Sequence, residues 1–100
     1  MGESDDTKLN TWVERLDSQY PAQLNSGAHH ILRTVCQRPA TRQKLEDNYP
    51  DDTLDATATN RRVSDLLRML RNDGYLAIDD TRYHFRSPLL RDFWINRYVR

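Results

Sequence analysis

Just after Asp73-Gly74 the spacing of apolar residues changes from every third or fourth to every second. This break constrains the fold more than any other feature of the chain. Upstream, Val63, Leu66, Leu67 and Leu70 form a stripe with the 3.6-residue period of a helix, predicted over residues 58–72. Downstream, Tyr75-Leu76-Ala77-Ile78 and Arg82-Tyr83-His84-Phe85-Arg86 alternate as strands do, and Asp79-Asp80-Thr81 supplies the turn. Leu76, Ile78, Tyr83 and Phe85 then share one face, leaving Arg82, His84 and Arg86 on the other. Gly74 is suited to the left-handed position that ends a helix.

The rest of the chain reads as helices divided by prolines. Leu9, Trp12, Val13, Leu16 and Tyr20 predict a helix over 7–20, stopped by Pro21. A second is expected over 26–37, with Ser26 as its N-cap and Ala28, Ile31, Leu32, Val35 and Cys36 on one face. Pro39 stops it, and a short helix over 41–47 is anchored by Leu45. Residues 48–57 hold turn formers and acids and read as a loop, with Thr57 or Thr59 capping the helix that follows. Ser87-Pro88 is a helix start, an N-cap hydroxyl followed by proline at the first helical position. The helix it opens, over 88–99, is expected to bury Leu89, Leu90, Phe93, Trp94 and Tyr98. Residues 1–6 are polar and acidic and read as a disordered leader.

This order predicts a mainly α domain with a small β-hairpin: a winged helix-turn-helix preceded by an extra N-terminal helix. Residues 58–72 are its recognition helix and 75–86 its wing. One hundred residues, 37% of them apolar, make a single domain over 7–100. Nine aromatics can each remove about 150–250 Å² from water, enough for a modest core.

Zero net charge conceals an asymmetry. Residues 1–56 carry six Lys/Arg against ten Asp/Glu, whereas residues 57–100 carry nine Arg, no Lys and five Asp. Arginine suits flat bidentate contact with phosphate or carboxylate, although the two halves can equally neutralise each other. No stretch approaches the ~20 apolar residues of a membrane span, and the acidic start is unlike a secretory signal, so a cytoplasmic location is expected. Cys36 is the only cysteine and falls on an apolar face, which leaves no disulfide and no thiolate cluster.

The run Tyr83-His84-Phe85-Arg86-Ser87-Pro88-Leu89-Leu90-Arg91-Asp92-Phe93-Trp94, ending near Arg97-Tyr98, resembles the tail of prokaryotic AAA-type P-loop ATPases. Asn72-Asp73-Gly74-Tyr75-Leu76 fits the same pattern. In that family a winged-helix domain follows the nucleotide-binding core. With glycine only at positions 2, 27 and 74, the chain has no Gly-x-x-x-x-Gly-Lys-Ser/Thr loop. The resemblance therefore implies the C-terminal module of such an ATPase, or a stand-alone relative of it, with ATP chemistry belonging to a part not present here.

The expected function is binding of double-stranded DNA, without catalysis and without a cofactor. Arg61, Arg62, Arg68 and Arg71 lie on the recognition helix off its leucine stripe; Asn60, Arg61, Arg62 and Arg68 are the candidates for phosphate or base-edge contact, with Arg82 and Arg86 on the wing. The carboxylates of Asp79 and Asp80 at the wing tip oppose phosphate. They open the alternative of a protein-interaction module that docks on an ATPase core. A further alternative is a small dimeric regulator that pairs through helix 7–20, with Trp12 exposed. His29 and His30 lie about 100° apart on a helix and cannot easily chelate one metal. Asp51, Asp52 and Asp55 lack the glycine and terminal glutamate of a calcium loop. No small-molecule substrate is expected.

Overall fold

The computed structural model describes the backbone of residues 2–99 and the side chains of residues 9–99 other than Gln23. Its elements are helices α1 (Gly2–Gln19) and α2 (Ala22–Gln37), strand β1 (Ala40–Thr41), helices α3 (Arg42–Asp47) and α4 (Ala56–Asn72), strands β2 (Leu76–Asp79) and β3 (Arg82–Phe85), and helix α5 (Pro88–Trp94), which continues as a π-helical turn over Ile95–Val99. The protein is mainly α with one small antiparallel sheet, ordered β1-β3-β2.

Several boundaries differ from expectation, each for a local reason. Residues 2–6, expected as a leader, are helical in their backbone, Met1 lying outside the described residues. Helix α2 begins at Ala22, not at Ser26, because the Pro21 carbonyl already accepts from the amides of Leu24 (2.9 Å) and Asn25 (2.8 Å). Helix α4 is capped by Asp55, whose carboxylate accepts from the Ala58 amide at 2.7 Å, rather than by Thr57 or Thr59. The hairpin turn is Asp80-Thr81 alone. Asp80 takes φ 60°, a conformation that Asp tolerates better than most residues. Strand β1 was not foreseen, since two residues are too few to show a period.

The core holds Leu16, Ile31, Leu32, Val35, Leu45, Val63, Leu66, Leu70, Tyr75, Leu90 and Trp94, all within 1% of full burial. The stripe of α4 is buried as read. Register pairs Leu76 with Phe85 and Ile78 with Tyr83, so these four share a face. That face is buried only at its base: Leu76 and Phe85 are buried, whereas Ile78 is exposed. Leu89, expected in the core, is also exposed, because α5 turns Leu90 and Trp94 inward and Leu89 to solvent. Trp12 is not the exposed residue that a dimer through α1 would use. It packs against the core, its ring edge-to-face with Tyr75 at 4.9 Å.

Helix α4 ends in a Schellman arrangement. The Tyr75 amide donates to the Leu70 carbonyl (2.9 Å) and the Gly74 amide to that of Arg71 (3.2 Å), with Gly74 at φ 90°. Tyr75 is then held three more times. Its carbonyl accepts from the Arg86 amide (3.0 Å), its hydroxyl donates to the Trp12 carbonyl (2.6 Å), and its ring meets Trp12. The Tyr20 hydroxyl, donating to Asp73 at 3.0 Å, ties α1 to the same corner.

His30 on α2 is half-buried, and its Nε2 is fully buried with no hydrogen-bond partner among the described residues. Burial holds its pKa below the ordinary 6.5, reinforced by Arg33 and opposed by a backbone hydrogen bond at Leu45. The fold thus favours the neutral ring. Its contribution to stability is complete above pH 6.5 and is lost as pH falls from 6.5 towards the lower folded value. Urea melts should show stability falling as pH drops below the ordinary 6.5, by less in His30→Phe. An unchanged loss in that variant would assign the dependence elsewhere; Asp17, also depressed, titrates below 3.8 and outside this window.

Candidate nucleic-acid interface

Helix α4 buries Val63, Leu66, Leu67 and Leu70 and turns its arginines away from the core. Arg61 and Arg68, seven residues apart, stand on one face about 10 Å from each other along the axis, and both are exposed. Arg68 pairs with Asp65 at 3.3 Å, a contact open to water on both sides and therefore weak. Arg62 is half-buried and faces the loop before the helix. There Asp51 is held below its ordinary 3.8 by hydrogen bonds from the Thr53 hydroxyl and amide, with a smaller contribution from the charge of Arg62.

Asn60 occupies a different position from the arginines. Its Oδ1 accepts from Arg42 at 3.0 Å and its Nδ2 donates to Glu46 at 3.0 Å. Arg42 in turn donates to Glu46 (3.0 Å) and to the Ser64 hydroxyl. Both polar atoms of Asn60 are thus engaged within the protein, where they brace α3 against α4. Arg42 and Glu46 escaped the sequence reading because their partners on α4 lie 14 to 22 residues away. The only local signal is their i,i+4 spacing.

Arg86 and Arg82 are separated by the length of β3, about 13 Å. Arg82 sits at the hairpin tip opposite Asp79 in β2 and Thr41 in β1. Arg86 sits at the base, where an open groove of about 380 Å³ runs between α4 and β2. Arg68, Arg71, Asn72, Leu76, Ala77, Ile78 and Arg86 line it, with no carboxylate among them. The structure therefore brings Arg68 and Arg86 together, adds Arg71, and leaves Arg61, Arg62 and Arg82 apart from them.

Among the described residues no group of three His, Cys, Asp or Glu side chains is placed to hold a metal ion. His29 instead meets Asp17, Nε2 to Oδ1 at 3.0 Å, and the ring of Tyr98. Asp55 is committed to its cap. No helix among the described residues is long and apolar enough to cross a membrane. Comparison of the chain with protein-family models, curated proteins and solved structures found no match in any of the three.

Proposed function

We propose that this chain is a winged helix-turn-helix module that binds double-stranded DNA and carries out no chemistry itself. In this reading it serves in the cytoplasm as the C-terminal domain of an AAA-type ATPase. The observation that carries the reading is the solvent side of α4, where Arg61, Arg68 and Arg71 are exposed on a helix whose Asn60 and Ser64 are tied to Arg42 and Glu46 of α3. A rigid helix with guanidinium groups on its open face suits phosphate contact and bidentate recognition of guanine. Asn60 acts here by holding α4 in place.

Each neutralised phosphate steepens the salt dependence of duplex binding by about 0.9 in a log–log plot. Three to five arginine contacts give an expected slope of about −3 to −5. Fluorescence titration of a labelled duplex between 50 and 200 mM salt would measure it, and Arg61→Gln should flatten the slope by about one unit. The carboxylates at the wing tip work against phosphate, so Asp79→Asn with Asp80→Asn should tighten binding. Absence of duplex binding at low salt overturns the proposal. Docking of the domain on a separate ATPase core would then favour an interaction module, for which exposed Leu89 and Val99 on the C-terminal helix offer apolar contacts.

A further inference from the structure

The groove between α4 and β2 has a composition that the protein's own interactions leave unbalanced. Arg68, Arg71 and Arg86 converge on it from two elements. Among the described residues, the carboxylate that pairs with any of the three is Asp65, 3.3 Å from Arg68. Among the described residues neither the Arg71 nor the Arg86 guanidinium has an ion-pair partner. Like charges gathered without counter-charge repel one another, and an anion placed among them removes that repulsion while accepting their N–H groups.

Two features of the backbone fit the groove to an anion. It opens beside the C-terminal end of α4, where bare carbonyls would repel negative charge. Here the Leu70 and Arg71 carbonyls are already occupied by the amides of Tyr75 and Gly74. Arg86 is fixed by its own amide, which donates to Tyr75. Arg71 occupies the last turn of α4, where a cation is favoured by the helix dipole. The Asn72 carboxamide adds a neutral donor. The far wall is apolar: Leu76, Ala77 and the exposed Ile78, a surface for the carbon skeleton that accompanies a phosphate.

We propose that this groove is a phosphate-binding site, with Arg71 and Arg86 as its principal ligands, Arg68 at its rim and Ile78 against the attached sugar. The site takes a backbone phosphodiester or a free phosphomonoester by the same chemistry. The first source rests on the DNA-binding function proposed above; the second does not. If the phosphodiester is the ligand, the duplex crosses the base of the hairpin and the acidic tip stays clear of it.

The test uses the full chain and two probes. Inorganic phosphate is titrated into isotopically labelled protein, and a duplex is titrated across 50–200 mM salt. Saturable shifts at the backbone amides of Arg71, Asn72, Ala77 and Arg86 are expected with phosphate. For the duplex, Arg71→Gln should flatten the salt slope by about 0.9, and the double variant with Arg86→Gln by about 1.8. Both substitutions are at exposed positions, and unchanged urea midpoints will show that the fold is intact. If phosphate saturates the groove and no duplex binds, the site holds for a free phosphomonoester and DNA binding falls. If the duplex binds with a slope unaffected by Arg71→Gln, and phosphate leaves the groove amides unmoved, the groove proposal is overturned while DNA binding stands. If neither probe binds, both fail.

Discussion

Trp94→Ala should destabilise the protein by about 3–5 kcal/mol, the range for deleting a large buried aromatic. Trp94 is fully buried, and five rings surround it: Tyr98 at 5.2 Å, Phe85 at 5.9 Å, His29 at 6.1 Å, and Tyr75 and Phe93 at 6.3 Å between centroids. These come from α2, the α4–β2 corner, β3 and the C-terminal helix, so one side chain joins the sheet to α2 and the C-terminal helix. The expected loss is a large part of the ~5–15 kcal/mol that typically holds a domain folded. A second variant separates shape from polarity. The Trp94 indole Nε1 is buried with no acceptor among the described residues. An unsatisfied buried donor costs about 1–3 kcal/mol, and Trp94→Phe removes it together with the outer ring. The two effects offset, so Trp94→Phe should lose less than about 1.5 kcal/mol in urea melts. A loss for Trp94→Ala below about 1 kcal/mol would remove Trp94 from its place at the centre of the core.

Gly27→Val should destabilise by about 1–3 kcal/mol, although replacing a helical glycine ordinarily stabilises. Gly27 lies where α2 crosses α4. A Cβ there would come within 2.8 Å of Leu66 Cδ1 and closer still to the Tyr49 hydroxyl. Leu66 is fully buried and has nowhere to retreat, so the added methyl groups force the helices apart. The Tyr49 hydroxyl is the end of a longer, half-buried side chain. Tyr49→Phe should therefore recover part of the loss, seen as a positive coupling in a double-mutant cycle. Additive effects of the two substitutions would show that Tyr49 yields freely and that Leu66 alone resists.

Local pattern made the helices and the hairpin legible. The α4 stripe, the Ser87-Pro88 start, Gly74 with its positive φ and the pairing face of the hairpin all follow from the chemistry of consecutive residues. The misjudged boundaries had local causes, but the misjudged exposures share another: which face of an element meets which neighbour is decided far away in sequence. Trp12 is covered because its ring packs against that of Tyr75, 63 residues on. Ile78 and Leu89 have apolar spacing but lie beyond the edge of the packed core. The arginines of α4 were legible as a group. The groove was not, because Arg86 joins Arg68 and Arg71 only through the tight turn at Gly74 and the register of β2 with β3.

That turn ties the hairpin closely to the helix. Three residues, Asp73 to Tyr75, connect α4 to β2; the amides of all three are bonded back to α4, and Asp73 and Tyr75 are also held by Tyr20 and by the Trp12 carbonyl. Swinging the hairpin base away from the helix, as a tethered flap would move, therefore means breaking these bonds. A ligand touching both surfaces has little loop ordering to offset, which is the entropic cost that lowers affinity at a mobile site. Such a surface discriminates by fit: a ligand whose charges are spaced differently can be accommodated only at the expense of those bonds.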